Sequence, residues 1–284
     1  MKIKLCAFAD EYSGWFDKQI EGLKLHNIPY IEIRGIDGKN ITTYTPEDAK
    51  AWKKAFDENG IKVWAIGSPV GKVQMDKPFE EHLALVKNVC EIAKVLECDK
   101  IRGFSFYGAT DNDKELVAQR LKQIIELTKS YGIELYHENE KDIFGENVEN
   151  CVYLLDNIPE LKCVYDPANF VQSKVDVANA LKTLQSRVDY YHIKDAYYDD
   201  GAVVPAGKGD GMLEEMVAGI QKDTVLTLEP HLTVFSGYSE IDKTELKTHY
   251  KYPSRADAFA DAVKCIKDIL IKNGYKEEGA EWIK

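Results

Sequence analysis

Four ionisable residues between positions 138 and 229 follow short apolar segments, and their types suit metal chemistry. They are Glu138, Asp166, His192 and Glu229. Each closes a β-prone run, and successive candidates lie roughly one strand–helix unit apart. If the four runs are parallel neighbours, their last side chains meet at one end of a sheet. Three carboxylates and one imidazole would bind a divalent ion there, and oxygen-rich ligation favours Mn²⁺, with Mg²⁺ or Co²⁺ as alternatives, over a thiolate-preferring metal.

A structural interpretation of the same residues stays open. A single carboxylate after a strand is commonly a helix N-cap or a solvated loop charge. Four candidates in succession, each at the same end of its strand, favour a shared site. The elements around them must therefore place all four strand ends together.

Strands and helices alternate along the chain. The predicted strands cover residues 3–9, 30–34, 61–66, 100–107, 133–138, 162–166, 188–194 and 225–229. The predicted helices cover residues 12–26, 46–59, 78–96, 114–131, 147–155, 176–184 and 213–220, with a last one starting at Ser254. Residues 67–69 are predicted as a loop, and residues 231–252 as irregular. Trp15, Trp52, Trp64 and Trp282 are expected to be packing or interface residues.

Local signals support these boundaries. Thr45 followed by Pro46 is a strong helix start, because Thr caps the first turn and Pro fits its first position. Gly60 and Gly132 each close a helix and lead directly into a strand. Eight alternating units predict a parallel sheet closed into one (β/α)8 TIM barrel over residues 1–284. An open doubly wound sheet is the alternative, but no G-x-G-x-x-G follows strand one.

Composition limits the partners. The formal net charge is −11 and the pI is about 5.2. This balance opposes nucleic-acid binding, which depends on Lys and Arg neutralising phosphates. The six cysteines lack C-x-x-C spacing and are expected to be reduced and mostly in the core. Neither a signal core nor an apolar membrane span is evident, so the expected location is cytoplasmic and no membrane partner is expected.

Five motifs carry a family resemblance. They are His137-Glu138-Asn139, Tyr165-Asp166-Pro167-Ala168-Asn169, His192-Ile193-Lys194-Asp195-Ala196, Pro205-Ala206-Gly207-Lys208-Gly209-Asp210 and Leu228-Glu229-Pro230. With them the chain resembles, over nearly its whole length, the xylose isomerase-like barrel superfamily of sugar isomerases and epimerases. Its ketose 3-epimerase branch implies that the four candidates hold one Mn²⁺-like ion. It also implies that Glu138 and Glu229 act as acid and base, that the substrate is a small sugar, and that the chain forms a dimer or tetramer.

The implied chemistry is consistent with these residue types. A divalent ion bound by a carbonyl and its neighbouring hydroxyl stabilises the enediolate left when the α-proton is removed. Inversion at that carbon requires a proton to leave one face and return on the other. Two carboxylates on opposite sides of the ion, here Glu138 and Glu229, suit this exchange.

Further residues near the predicted strand ends are candidates for substrate binding. They are Arg34, Ser68, His137, Asn169, Lys194, Lys208 and His231. Lys194 shares the face of His192 because side chains two residues apart point the same way. By the same rule His137 points away from the lumen if Glu138 points in, which favours a supporting role. The alternative interpretation of Lys208 is a solvated loop residue that does not contact the substrate.

Arg34 has a second interpretation. It lies on the same strand face as Glu32, at the end of strand two, where it could contact a hydroxyl or phosphate group. The alternative is a structural ion pair with Glu32 or Asp37.

The motifs depart from the ketose 3-epimerase pattern in two places. That branch usually has a histidine shortly after the strand-six aspartate, whereas Asp166 is followed by Pro167-Ala168-Asn169. It also has an arginine soon after the strand-seven histidine, whereas none occurs here between His192 and Arg255. The substrate therefore remains open among modified sugars, inososes and 3-keto glycosides.

Three other functions compete with an isomerase or epimerase. A metal-dependent lyase would use the same bases on an inosose or keto-glycoside and then expel a β-leaving group. A non-catalytic sugar-binding barrel is the alternative from another class, since fold does not fix function. An apurinic endonuclease is disfavoured by the acidic charge and by a total of only six histidines.

Overall fold

The computed structural model of the chain describes residues 1–234 and 246–284. Strands β1 to β8 are Lys2–Ala7, Tyr30–Ile33, Lys62–Val70, Lys100–Gly103, Glu134–Glu138, Lys162–Tyr165, Tyr190–Ile193 and Thr224–Leu228. Each strand pairs in parallel with the next in the chain, and β8 pairs in parallel with β1. This closure confirms the predicted TIM barrel.

Helices follow the strands and cover the outside of the barrel. Helices α1 to α9 are Phe16–Leu25, Pro46–Asn59, Phe79–Val95, Lys114–Ser130, Val148–Asn157, Pro167–Gln172, Val177–Leu184, Leu213–Ala218 and Arg255–Lys272. Short 3-10 turns cover Ala9–Glu11, Ile41–Thr43, Asp111–Asp113, Phe144–Glu146 and Gln185–Arg187. Two small hairpins pair Gly35–Ile36 with Lys39–Asn40 and Asp195–Ala196 with Val203–Val204. None of the helices in the described ranges is long and apolar enough to cross a bilayer.

Helix ends follow the predicted signals. Thr45 and Asp48 form a reciprocal capping box at the start of α2, with Pro46 in the first turn. Gly60 and Gly132 have φ angles of 68° and 70°, the left-handed conformation that glycine adopts without a steric penalty. Ser254 caps α9 by accepting a hydrogen bond from Asp257 N at 3.2 Å. These local predictions are confirmed.

Strands β3 and β4 differ from their predicted bounds. The predicted loop at residues 67–69 belongs to β3, which continues to Val70 through a register shift against β4. β4 ends at Gly103 instead of continuing to residue 107. Gly71 explains the early end, because its φ is 85° and an added Cβ would lie 2.0 Å from the Phe104 carbonyl oxygen. The backbone segments around Gly71 and Phe104 therefore cross too closely to continue a regular β-ladder.

A hairpin at the C-terminus was not predicted. Its strands β9 and β10 are Lys276–Glu278 and Glu281–Ile283, and β10 pairs antiparallel with Lys2–Lys4 of β1. Trp282 on β10 is buried, which confirms its predicted packing role. The hairpin extends the sheet at the N-terminal end of β1, away from the carboxyl ends of the strands.

Two further predictions concern the cysteines and the segment after β8. All six cysteines are free and five are buried, as expected. The segment predicted as irregular, residues 231–252, includes residues 235–245, which lie outside the described part of the chain.

Candidate metal centre

The four predicted ligands meet at the carboxyl ends of neighbouring strands. Glu138 ends β5, His192 lies in β7 and Glu229 directly follows β8. Asp166 directly follows β6 and also caps α6, since its Oδ1 accepts a hydrogen bond from Asn169 N at 3.0 Å. All four are buried, and one ligand atom of each lies within 4.8 Å of the others. The structure therefore brings together the residues that the sequence placed at separate strand ends.

Strand alternation explains why these side chains enter the barrel. A small core cluster fills the interior below them, and four of its five buried members precede a candidate ligand by two or four residues. Its buried members are Cys6, Tyr136, Val164, Tyr190 and Val225. This largely apolar layer fills the barrel beneath the four candidate ligands, which lie towards the carboxyl ends of the strands.

The buried polar atoms of the cluster fit a cation. Within the described chain, one atom of each predicted ligand lacks a hydrogen-bond partner, and these atoms are Glu138 Oε2, Asp166 Oδ2, His192 Nδ1 and Glu229 Oε2. His192 Nδ1 lies 2.9 Å from Glu229 Oε2 without hydrogen-bond geometry. Buried polar atoms are rarely left without a partner in native proteins. Two of the oxygens lie beside a cation, Arg102 for Glu138 and Lys194 for Asp166, and a divalent ion at the point of convergence would give all four atoms a further partner.

The electrostatics also favour positive charge at the centre. Burial disfavours the imidazolium of His192, but Glu138, Glu32 and Glu229 outweigh burial and raise its pKa well above the usual value. Burial opposes ionisation of Glu229 as well, yet Lys194 and His192 hold its pKa well below the ordinary range. Burial raises the pKa of Asp166 to about 7 even though Lys194 opposes this. The carboxylates thus attract a cation to their point of convergence.

Lys194 and Asn169 support the ligands from one side. Lys194 Nζ lies 2.9 Å from Asp166 Oδ2 and donates a hydrogen bond to Asn169 Oδ1 at 2.7 Å. The Asn169 amide donates in turn to Glu138 Oε1 at 3.1 Å. Two ligands from different strands are therefore joined through one lysine and one amide. Both supporting residues were predicted as substrate contacts, and the structure shows them beside the ligands.

Arg34 and His231 support Glu229 from the other side. Arg34 Nη1 donates to Glu229 Oε1 at 2.9 Å, and its other nitrogens contact both carboxylate oxygens of Asp10 at 3.0 Å. His231 Nε2 lies 3.2 Å from Glu229 Oε1. Burial lowers the pKa of His231 to about 4, so the ring is neutral near pH 7.

The ion pair predicted for Arg34 with Glu32 or Asp37 does not describe these contacts. Glu32 instead contacts His192, and Asp37 accepts a hydrogen bond from Phe16 N at 2.9 Å. The partners of Arg34 come from the ends of β1 and β8, which are distant in sequence. Closure of the barrel brings Glu229 to this arginine, whereas Asp10 follows β1, which pairs directly with β2.

Two buried residues of the site were missed from the sequence. Arg102 on β4 places its Nε 3.2 Å from Glu138 Oε2, and it mirrors the pairing of Arg34 with Glu229. Glu32 on β2 accepts a hydrogen bond from Tyr190 and contacts His192. Alternation could have found both, since Glu32 is two residues before Arg34 and Arg102 occupies an inward position on a short charged strand.

Two predicted substrate contacts lie outside the cluster. His137 points out of the barrel and its Nε2 contacts Ser105 Oγ at 2.9 Å, which agrees with the alternation argument. Burial lowers the pKa of His137 to about 4. Lys208 is exposed and lines a surface depression with Glu214 and Cys265 next to α9. Neither side chain is placed beside the four ligands.

A cavity of about 240 Å³ lies next to the cluster, on the side of β2 to β4. Arg34 and Arg102 form part of its wall, so it adjoins both glutamates of the site. Ser68, predicted as a substrate contact, also lines it and donates a hydrogen bond to the Arg102 carbonyl at 2.7 Å. The remaining lining residues are Asn40, Gly67, Pro69, Lys72, Val73, Gln74 and Tyr107. The volume and polar lining suit a small hydroxylated molecule.

Comparison with known proteins supports this architecture. A family model described as xylose isomerase-like TIM barrel matches residues 23–268. No curated protein sequence matches the chain significantly. The IolI protein, solved with a bound zinc atom, is 18% identical with a TM-score of 0.74, over 95% of this chain and 99% of that chain.

Two other similar structures belong to proteins with described reactions. The D-allulose 3-epimerase from Methylomonas sp., solved in complex with D-allulose, is 16% identical with a TM-score of 0.71, over 94% of this chain and 97% of that chain. The probable 3-DHS dehydratase AsbF from Bacillus anthracis is 15% identical with a TM-score of 0.70, over 93% and 98% respectively. At these identities the similarity concerns the fold.

Proposed function

This chain belongs to the xylose isomerase-like TIM barrel family, and on that premise we propose that it is a metal-dependent isomerase or epimerase of a keto-sugar. The observation that carries the proposal is the buried cluster of three carboxylates and one imidazole, whose potential ligand atoms lie within 4.8 Å of one another. The reaction is removal and return of a proton next to a carbonyl.

The proposed cofactor is one divalent ion held by Glu138, Asp166, His192 and Glu229. Three oxygen ligands and one nitrogen ligand suit Mn²⁺ best, with Mg²⁺ or Co²⁺ as alternatives. A bound ion supplies Lewis acidity, which makes the hydrogen next to a coordinated carbonyl more acidic.

The two glutamates are suited to be the proton-transfer groups. Glu138 and Glu229 come from β5 and β8, with β6 and β7 between them, so they approach the centre from different sides. Each is next to an arginine, Arg102 for Glu138 and Arg34 for Glu229. The arginines hold the two carboxylates in place through charge-assisted contacts. A pair of bases on two sides is the arrangement that inversion at one carbon requires.

The proposed function is tested by solvent exchange. Mn²⁺-loaded protein in D₂O, incubated with neutral keto-sugars and inososes, is expected to incorporate one deuterium next to the carbonyl and to form an isomer of otherwise unchanged mass. Mass spectrometry and NMR measure both. Loss of water or of a glycosyl group would assign the lyase reaction instead. Binding without exchange across the panel would favour a non-catalytic sugar-binding barrel.

We further propose that the substrate is uncharged. The cations that line the cavity already have carboxylate partners: Arg34 and Arg102 pair with Glu229 and Glu138, and Lys72 Nζ lies 2.8 Å from Glu140 Oε2. An anionic group would have to separate these buried pairs, which costs several kcal/mol for a desolvated charge pair. Neutral hydroxyl groups can bind without separating them.

Matched substrates test this prediction. For a keto-sugar that exchanges deuterium, kcat/KM is expected to be at least about tenfold higher than for the same sugar carrying a terminal phosphate, a difference of about 1.4 kcal/mol. The assay compares initial exchange rates of the two compounds at equal free Mn²⁺. Faster exchange with the phosphate would contradict the uncharged substrate and leave the reaction class intact.

A further inference from the structure

Glu32 lies inside the barrel and contacts a metal ligand from the side opposite the metal centre. Its side chain is fully buried on β2, where one carboxylate oxygen, Oε2, is 3.2 Å from His192 Nε2. The other oxygen accepts a hydrogen bond from Tyr190 at 3.1 Å and lies 3.7 Å from Arg102 Nε. The closest contacts of this carboxylate are therefore to the imidazole and the phenol.

The two nitrogens of His192 face different groups. Nδ1 lies 3.2 Å from Glu138 Oε1 and 2.9 Å from Glu229 Oε2, at the convergence of the ligands. Nε2 faces Glu32, the one carboxylate within 4 Å of this nitrogen in the part of the chain that the structure describes. A neutral imidazole has one N–H and one lone pair, and a metal needs the lone pair. A hydrogen bond from Nε2–H to Glu32 leaves the lone pair on Nδ1, directed at the cluster.

We propose that Glu32 is a positioning residue that fixes the ring orientation and tautomer of His192 for metal binding. The inference rests on the metal site of the proposed function. Histidine ligands commonly donate their second N–H to a carboxylate, and loss of such a partner costs about 10–100-fold in metal affinity. The Phe8 ring, whose centroid lies 5.3 Å from that of His192 in an edge-on arrangement, gives the imidazole a second constraint.

The geometry argues against Glu32 as a mere counter-ion for Arg102. At 3.7 Å the distance from Arg102 Nε to Glu32 is too long for a hydrogen bond, whereas the same nitrogen is 3.2 Å from Glu138. A buried carboxylate without good partners is costly, so the contacts it does make identify what it holds. Those contacts are His192 and the tyrosine two residues earlier on the same strand.

Three variants separate positioning from general core packing. Glu32→Leu removes the acceptor with little change in side-chain volume. Glu32→Gln keeps a carbonyl acceptor but removes the charge. Tyr190→Phe is the matched control, because it deletes the other hydrogen bond to Glu32 and leaves the contact with His192 in place.

The first readout is the dissociation constant for Mn²⁺, measured by titration calorimetry on chelator-treated protein. We expect it to rise about 10–100-fold in Glu32→Leu, to rise less in Glu32→Gln, and to stay near the wild-type value in Tyr190→Phe. The second readout is NMR of histidine-labelled protein loaded with Zn²⁺. The Nε2–H signal of His192 is expected in wild type, with slow solvent exchange, and is expected to be lost or to exchange rapidly in Glu32→Leu.

Equal Mn²⁺ affinity in wild type and both Glu32 variants would overturn the proposal. So would a loss in Tyr190→Phe as large as that in Glu32→Leu, since it would indicate general packing. If Glu32→Leu does not fold, the comparison of Glu32→Gln with Tyr190→Phe decides: a weaker site only in the former supports positioning, and equal affinities oppose it. A wild-type protein that binds neither ion would overturn the metal site, and this inference with it.

Discussion

Replacement of Glu138 or Glu229 by Gln is expected to lower proton exchange in the barrel about 10²- to 10⁴-fold, the usual contribution of a positioned acid or base. Gln keeps the size of the side chain and one potential ligand oxygen but cannot accept the proton. The two variants are also expected to differ from each other. If each glutamate serves one face of the carbon, each variant loses exchange from one epimer and keeps it from the other. Deuterium incorporation into both epimers, followed by NMR, measures this.

Metal content must be measured in the same samples, because both glutamates are also proposed ligands. A variant that retains Mn²⁺ and loses exchange isolates the proton-transfer role. Thermal unfolding shows whether the fold is intact. Wild-type exchange in either variant would contradict its assignment as an acid or base. Loss of all exchange in one variant with none in the other would indicate a single base, as in a lyase.

Replacement of His192 by Ala is expected to abolish tight metal binding. The change removes a ligand itself, so the loss of affinity should exceed the roughly 10–100-fold typical when only an outer partner of a ligand is lost. It also leaves Glu138 and Glu229 without the imidazole that lies between them. Elemental analysis of protein purified without chelator, supported by calorimetric titration with Mn²⁺, measures the effect. About one equivalent in wild type and almost none in the variant is the expected result.

His137→Ala provides the matched control. His137 is also buried at a strand end and adjoins Glu138 in sequence, but it contacts Ser105 on the outer side of the barrel. This variant is expected to lose stability by leaving Ser105 with one partner fewer, while its metal content stays near that of wild type. Equal metal content in wild type and His192→Ala would show that the carboxylates and imidazole form a structural cluster. Equal loss in both variants would show that metal binding only reports on fold stability.

Local patterns were sufficient for most of the fold. Helix caps at Thr45 and Ser254 and helix-closing glycines at Gly60 and Gly132 depend on neighbours within a few residues, so sequence predicts them directly. The crossing of β3 and β4 does not depend on such near neighbours, so the sequence does not predict it. There the close approach of Gly71 to Phe104 ends β4 early, and nothing in the sequence of either strand reports the distance between them. The hairpin at Trp282 was missed for the same reason, since its partner, β1, lies at the other end of the chain.

The sequence by itself determined the number of strand–helix units and placed the four candidate ligands at strand ends. Both follow from periodicity, because alternation with period two decides which side chains share a face of one strand. The same alternation predicted that the side chain of His137 points out of the barrel. Tertiary structure alone decided which charged groups of different strands pair: Arg102 with Glu138, Arg34 with Glu229, and Glu32 with His192. The last two pairs join residues 195 and 160 positions apart in the sequence, and only the closed barrel with its register brings their atoms within about 3 Å, the range of a hydrogen bond.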